Sequence, residues 1–225
     1  MKATWIGLIA LTCLLAAGAV AEGNGMFVSI RDTYLGPNTF DSTAAGCKFL
    51  DVYTIEVAID HDFSVRSLES EDSVVLATDE AAQAYRKRAD ELGIHIWATL
   101  TACDFSAKTM EENVAFLARA VEISDILGAS AMRIDSAMRK EKELDFDARV
   151  NLFVEGLSAV LAKTANSKVT LGIENHGFQG NNLAFLLNIY QQVNSPRLGS
   201  TLDTGNFYWR GYPLSEVYGI IRVLA

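Results

Sequence analysis

The chain alternates between short apolar segments rich in β-branched residues and longer amphipathic segments. Apolar runs of about four to eight residues are typical of strands that are buried on both faces of a sheet. Six such runs cover residues 26–30, 54–59, 94–101, 131–135, 169–174 and 198–203. The amphipathic segments predict helices with one apolar side, and they cover residues 42–50, 79–92, 110–127, 146–165 and 183–193.

The alternation of strands with helices predicts parallel strands joined by right-handed crossovers. Two architectures have this pattern: an open doubly wound sheet and a (β/α)₈ TIM barrel. An open sheet normally carries a glycine-rich turn after its first strand. This chain has "RDTYLGPNTF" there, and it contains neither G-x-G-x-x-G nor a Walker motif.

A barrel predicts polar residues at the carboxyl ends of several different strands. We therefore predict the α/β class and a TIM barrel, because polar residues follow five of the predicted strands. They are Asp60, His61, Asp62, Asp104, Asp135, Glu174, Asn175, His176, Asp203 and Asn206.

The length of the chain changes the expected strand count. The six strands end near residue 206, and "PLSEVYGIIRVLA" predicts one further helix. A barrel typically needs about 250 residues, whereas this chain has 225. We therefore expect about six of the eight βα units, with the barrel truncated after them.

The first residues have the pattern of a secretory signal. A basic Lys2 precedes an apolar run over residues 5–20, and "AVA" at 19–21 is a typical cleavage site. We predict a signal peptide over residues 1–21, a barrel domain over 22–225, and an exported protein, periplasmic or secreted. An uncleaved anchor is the alternative, but after cleavage no segment is long enough for a stable membrane span.

Charge and cysteine content indicate whether the protein binds nucleic acid and whether it contains a disulfide. A net charge of −9 argues against nucleic-acid binding, because binding to the phosphate backbone needs clustered Lys and Arg. After signal cleavage only Cys47 and Cys103 remain. Export would permit a disulfide between them, but we expect two buried free thiols.

Two predicted strand ends carry the candidate chemistry. By the alternation of side chains along a strand, Gly172, Glu174 and His176 share one face. A carboxylate facing a barrel interior is costly unless it is paired or bound to metal. Asp203 ends the next strand, and neighbouring strands lie about 4.8 Å apart. We predict that Glu174 and Asp203 hold one divalent metal, Mn²⁺ or Mg²⁺, or Zn²⁺ or Co²⁺ if imidazole joins.

The motifs "GIENHG" and "LGSTLDTGNF", set on this strand–helix pattern, resemble the xylose-isomerase-like TIM-barrel superfamily, often described as sugar phosphate isomerase/epimerase. The resemblance covers essentially all of residues 22–225. It implies a divalent metal held by Glu and Asp from strands five and six, and by His and Glu from strands seven and eight. In ketose epimerases of this superfamily the two glutamates also move the proton through an enediolate. Relatives often pair, which implies a possible homodimer.

Carried over residue by residue, the resemblance makes Glu174 a metal ligand and the catalytic acid/base, and Asp203 a second ligand. We expect His176, Asn206 and Arg133 to contact substrate. Asn206 stands where many relatives carry His, three residues after the Asp. An amide can orient a sugar hydroxyl, but it cannot shuttle a proton at neutral pH.

Each of these residues also has a purely structural interpretation. Glu174 can pair with Arg133 inside the barrel, and Asp203 can cap the following loop. His176 and Asn206 can simply pack within their loops. Arg133 is then a salt-bridge partner in the core instead of a substrate clamp.

Three functions follow from these alternatives. The first is a metal-dependent isomerase or epimerase that acts on a keto sugar or a related polyol, a small-molecule substrate, through an enediolate. The second is a non-catalytic, exported carbohydrate-binding or vestigial barrel, which the Asn at 206 favours. The third, a metallo-endonuclease, is disfavoured because its three-zinc site needs many histidines and this chain has three.

Overall fold

The computed structural model describes residues 26–36 and 39–225, and the predicted signal peptide lies outside them. The strands are β1 (Ile30–Arg31), β2 (Thr54–Ala58), β3 (Ser64–Arg66), β4 (Ser73–Val75), β5 (His95–Thr101), β6 (Ala131–Asp135), β7 (Thr170–Glu174) and β8 (Leu198–Thr201). The helices are α1 (Thr43–Leu50), α2 (Asp79–Glu91), α3 (Met110–Leu127), α4 (Phe146–Lys163), α5 (Leu183–Val193), α6 (Thr204–Trp209) and α7 (Leu214–Leu224). A short 3-10 helix, Asp32–Leu35, follows β1.

Six strands form one parallel sheet in the order β1-β2-β5-β6-β7-β8. Each strand therefore lies beside the next one along the chain, apart from the small antiparallel hairpin β3–β4 inserted after β2. A doubly wound sheet would reverse its order at a switch point, whereas a TIM barrel lays its strands down in sequence order. Within the described residues, six parallel strands and seven α-helices confirm the α/β class and the partial barrel.

The two faces of the sheet differ in chemistry. On β6, Met132 and Ile134 are fully buried against the helices, while Arg133 and Asp135 on the other face are partly buried. The same alternation on β7 places Glu174 on the inner face. Polar and charged side chains therefore collect inside the curve of the sheet, where the candidate chemistry lies.

The main hydrophobic core lies between the sheet and helices α3, α4 and α5. Phe153 on α4 is fully buried at its centre. Its ring packs edge-on against Phe105, at 5.0 Å between centroids, and against Phe185, at 5.4 Å. This packing anchors the helix layer behind the strands that carry the candidate site.

The helix ends follow from local side-chain chemistry. Thr109 and Glu112 form a reciprocal capping box at the start of α3, and Gly128 ends that helix with φ +76°. Most of the helices start at a side chain that accepts a backbone hydrogen bond from the first turn. These capping residues are Ser42, Thr78, Thr109, Asp145, Asn182 and Asp203.

Several sequence predictions were wrong in detail. The first strand occupies only Ile30–Arg31, not residues 26–30, and β8 ends at Thr201, two residues before Asp203. The hairpin β3–β4 and the six-residue helix α6 were not predicted, because each is too short to show a clear period.

Two other expectations concern the thiols and the membrane. Cys47 and Cys103 are free and buried, as predicted. Among residues 26–36 and 39–225, none of the helices combines the length and apolar character needed to cross a bilayer.

Asp32 makes the stability of the fold depend on pH. It follows β1 directly, is fully buried, and accepts hydrogen bonds from the Ala58 amide at 3.2 and 3.3 Å. Burial raises the pKa of Asp32 to about 6, although the Ala58 and Thr33 amides and two nearby arginines lower it. The folded state therefore binds this proton more tightly than the unfolded state, whose pKa is near 3.8. The resulting stabilisation is complete below the unfolded pKa, and it is lost as pH rises through the folded pKa.

We expect the free energy of unfolding to fall by up to about 3 kcal/mol between pH 4 and pH 7, relative to Asp32→Asn. Asparagine keeps an acceptor oxygen for Ala58 but does not ionise, so the difference between the two proteins isolates this carboxyl group. Urea denaturation at four or five pH values measures it. Parallel stability profiles for the two proteins would contradict the assignment.

Candidate functional site

Asp135, Glu174 and His176 gather at the carboxyl ends of β6 and β7. Asp135 and Glu174 are register partners on these neighbouring strands. Each of the three residues offers one potential ligand atom, and these atoms all lie within 4.8 Å of one another. Nδ1 of His176 lies 3.1 Å from Oδ1 and 3.0 Å from Oδ2 of Asp135. The two carboxylates are only 15% and 16% exposed, whereas His176 is 51% exposed at the rim.

Arg133 supplies the positive charge in this cluster. Its guanidinium contacts the carboxylate of Glu174, and its Nη2 lies 3.4 Å from Oδ2 of Asp135. Oε2 of Glu174 is buried, but it accepts no hydrogen bond of normal geometry from the described residues. Burial lowers the pKa of Arg133, and the nearby carboxylates of Asp135, Glu56 and Asp203 offset part of that effect. The structural pairing of Glu174 with Arg133 is therefore present, and it occupies the same oxygen atoms that a metal would use.

Asp203 uses one oxygen as a helix cap. Its Oδ1 accepts the backbone amides of Gly205 at 2.7 Å and Asn206 at 2.9 Å, which starts α6. Its Oδ2 makes no hydrogen bond within the described segments. Asn206 lies in the first turn of α6 and is partly buried. The structure does not gather Asp203 or Asn206 into the three-residue cluster, although the charge of Asp203 reaches Arg133.

Asn175 connects the two strand ends that carry Glu174 and Asp203. Its side chain is 1% exposed and forms a two-way pair with the backbone of Asp203. The Asn175 amide donates to the Asp203 carbonyl at 2.8 Å, and its oxygen accepts the Asp203 amide at 2.7 Å. The side chain thus continues the pairing of β7 with β8 beyond the strands themselves. In the sequence, this role is indicated by the polar Asn175, which directly follows β7 on the face that otherwise carries apolar residues.

Ser136 holds the backbone on which Glu174 and His176 sit. Its buried hydroxyl lies 2.5 Å from the Glu174 carbonyl oxygen and 2.9 Å from that of His176, and it accepts the His176 amide at 3.0 Å. Gly180 packs directly over it, where a Cβ would lie 1.8 Å from the hydroxyl oxygen. The loop after β6 therefore fixes the shape of the loop after β7.

The donor atoms of the cluster fit a divalent metal. Two carboxylates and one imidazole are a ligand set that suits Mn²⁺, Co²⁺ or Zn²⁺, whereas a ligand set made only of oxygen atoms suits Mg²⁺. Sequence reasoning had placed Asp135 at a strand end but missed it as a possible ligand. The available signal was that Asp135 ends its strand just as Glu174 ends the next one.

Comparison with known proteins agrees with the fold. A family model described as "Xylose isomerase-like TIM barrel" matches residues 49–224. No curated protein matches the chain.

Several solved structures are similar at low sequence identity. A xylose isomerase domain protein from Planctomyces limnophilus is 19% identical, with a TM-score of 0.58 over 88% of this chain and 69% of its own. D-psicose 3-epimerase is 17% identical, with a TM-score of 0.64 over 87% of this chain and 69% of its own. A 3-keto-D-glucoside 4-epimerase from E. coli is 12% identical, with a TM-score of 0.64 over 89% and 76%. At these identities the likeness shows the fold.

Proposed function

The chain belongs to the xylose isomerase-like TIM-barrel family, and on this premise we propose that it is a metal-dependent isomerase or epimerase of a keto sugar or a related polyol. The observation that carries the proposal is the position of Glu174. Its carboxylate lies on the inner face at the carboxyl end of β7, mostly buried, within ligand distance of Asp135 and His176. In TIM barrels this end of the strands carries the active site.

Glu174 is the central residue among the proposed metal ligands. Asp135 and His176 are the partners within its reach, and Asp203 offers its second oxygen from the following strand. Mn²⁺, Mg²⁺, Co²⁺ and Zn²⁺ remain the candidate ions, and the imidazole favours the transition metals over Mg²⁺. When bound, such an ion supplies a Lewis acid for the carbonyl and hydroxyl oxygens of the substrate.

Glu174 is the proposed acid/base. Its carboxylate would take the proton from the carbon next to the substrate carbonyl and leave an enediolate. Return of the proton to the neighbouring carbon would give the isomer, whereas epimerisation would need a proton delivered to the opposite face of the same carbon. The backbone contacts of Ser136 hold this residue in place. His176, exposed at the rim, would bond the metal or a substrate hydroxyl, and Asn206 would contact another oxygen of the sugar, whereas Arg133 lies in the ion pair with Glu174.

The similar solved structures support this substrate class. Two of them are epimerases of sugars that carry a keto group, D-psicose and a 3-keto-D-glucoside. Epimerisation next to a keto group requires a base beside an acidified C–H bond. A buried carboxylate near a possible cation site meets that requirement.

One observation favours a second function, a non-catalytic carbohydrate-binding barrel. Arg133 already neutralises Glu174, so the carboxylate needs no metal to be tolerated inside the sheet. Under this alternative, calorimetric sugar binding would survive both chelation and the Glu174→Gln substitution. Under the enzyme proposal, chelation would weaken binding.

Deuterium exchange tests the enzymatic proposal. With Mn²⁺ in D₂O, we expect the protein to exchange a C–H proton next to the carbonyl of at least one ketose, because enediolate formation releases that proton to solvent. Proton NMR of D-psicose, D-fructose and a 3-keto-glucoside follows the loss of signal. Circular dichroism and a chelator-treated sample serve as controls. A folded protein that exchanges none of these protons would overturn the proposal.

A further inference from the structure

A second inward-facing carboxylate lies near Arg133. Glu56 on β2 is half-buried and makes no ion pair with any residue in the described ranges. Burial raises its pKa, and the positive charges of Arg31 and Arg133 offset only part of that effect. Glu56 therefore stands inside the sheet as an incompletely neutralised acid within the field of Arg133.

The sheet leaves a path between Arg133 and Glu56. Only β5 separates β2 from β6 in the sheet, so the two residues lie on strands about 10 Å apart. In the register, β5 places Ala98 beside Glu56 and Leu100 beside Arg133. Glu56 and Arg133 are offset by two residues along β5, so a side chain that crosses this strand passes diagonally between Ala98 and Leu100. An arginine and a glutamate extended toward each other can meet over this strand.

A cation in the cluster and the guanidinium in its present position exclude each other. Nη2 of Arg133 contacts Glu174 and lies 3.4 Å from Oδ2 of Asp135. A divalent ion held by these two carboxylates would use the oxygen atoms that the guanidinium now contacts. Two positive charges that share these oxygen atoms repel each other even at the effective dielectric constant of a protein surface, about 20.

We propose that Arg133 is a built-in counter-ion that competes with the metal for Asp135 and Glu174, and that it turns to Glu56 when the metal binds. This inference rests on the proposed function, since it requires a cation at the cluster. In the metal-free protein Arg133 keeps both carboxylates compensated, which avoids the cost of two buried like charges. Glu56 then provides an alternative partner that lowers the cost of releasing it.

Mn²⁺ affinity tests the proposal without any assay of turnover. The signal of free Mn²⁺ in electron paramagnetic resonance is measured during titration of wild type, Arg133→Met, Glu56→Gln and Arg149→Met. We expect Arg133→Met to bind Mn²⁺ roughly tenfold to a hundredfold more tightly, because a competing charge at this distance has an effect of that order. Glu56→Gln should bind several-fold more weakly, because released Arg133 has lost its second partner.

Arg149→Met is the matched control, because Arg149 lies outside the sheet interior. Its guanidinium stacks on the ring of Phe178 at 5.4 Å and takes no part in the interior ion pairs among residues 26–36 and 39–225. This variant should bind Mn²⁺ as wild type does. If Arg133→Met fails to fold, Glu56→Gln, which leaves the pairing of Arg133 with Glu174 intact, carries the test alone.

The outcomes separate this inference from the proposed function. Wild-type Mn²⁺ affinity in folded Arg133→Met, or in Glu56→Gln when the first variant is unfolded, overturns the counter-ion role but leaves a metal site in place. An absence of Mn²⁺ binding in every variant, Arg133→Met included, removes the cation site and with it both proposals. Tighter binding in Arg133→Met with weaker binding in Glu56→Gln supports the exchange of partners.

Discussion

Glu174→Gln is expected to lower Mn²⁺-dependent proton exchange by about a thousandfold or more, because a general base typically contributes 10²–10⁴ to the rate. The glutamine amide is nearly isosteric with the carboxylate, but it cannot accept the proton at neutral pH. It also removes one negative charge from the ligand group of Asp135, Glu174 and His176. The rate of deuterium incorporation, measured at saturating Mn²⁺, is the test.

Glu155→Gln provides the matched control for that loss. This variant makes the same chemical change on the exposed side of α4, away from the strand ends. The rate of deuterium exchange by Glu155→Gln should equal that of wild type. If Glu174→Gln keeps its rate within about tenfold of wild type while saturated with Mn²⁺, another group moves the proton and the assignment of the base is wrong.

Phe153→Ala is expected to reduce the free energy of unfolding by about 3–5 kcal/mol, the usual cost of removing a buried phenylalanine from a packed core. Phe153 is fully buried, and its ring fills the space between Phe105 and Phe185. These two neighbours come from different segments, so they cannot both close on the cavity. Urea denaturation followed by circular dichroism measures the change.

Phe49→Ala repeats the same substitution at a surface position. Phe49 on α1 is 77% exposed and packs against one ring, that of Phe40. Its loss should cost less than about 1 kcal/mol. Similar losses at both positions would show that Phe153 does not hold the helix layer to the sheet.

The secondary structure of this protein could be predicted because its signals are local. Helix α3 covers residues 110–127 and β6 covers residues 131–135, both as predicted. The inner position of Glu174 also followed from alternation along one strand. Short elements such as α6 were missed, because six residues contain less than two turns of apolar periodicity.

The residues that form the site were harder to predict, because their proximity depends on contacts between strands. Asp203 was expected to face Glu174, yet its Oδ1 caps α6, whose amides lie only two and three residues further along the chain. Asp135 lies beside Glu174 because the register of β6 and β7 pairs them. The shared metal of Glu174 and Asp203 stays a prediction, and Asp135 and His176 join Glu174 as its candidate ligands.

Sequence patterns alone were enough to predict the six parallel strands, the longer helices between them, and the acids and amides at the strand ends. These properties depend on residues a few positions apart, where the periods of strands and helices decide which side is buried. The ion pair of Arg133 with Glu174 and the pairing of Asn175 with the backbone of Asp203 became visible only in the folded chain. Such pairings depend on the strand register and the direction of each side chain, which arise when distant segments pack together.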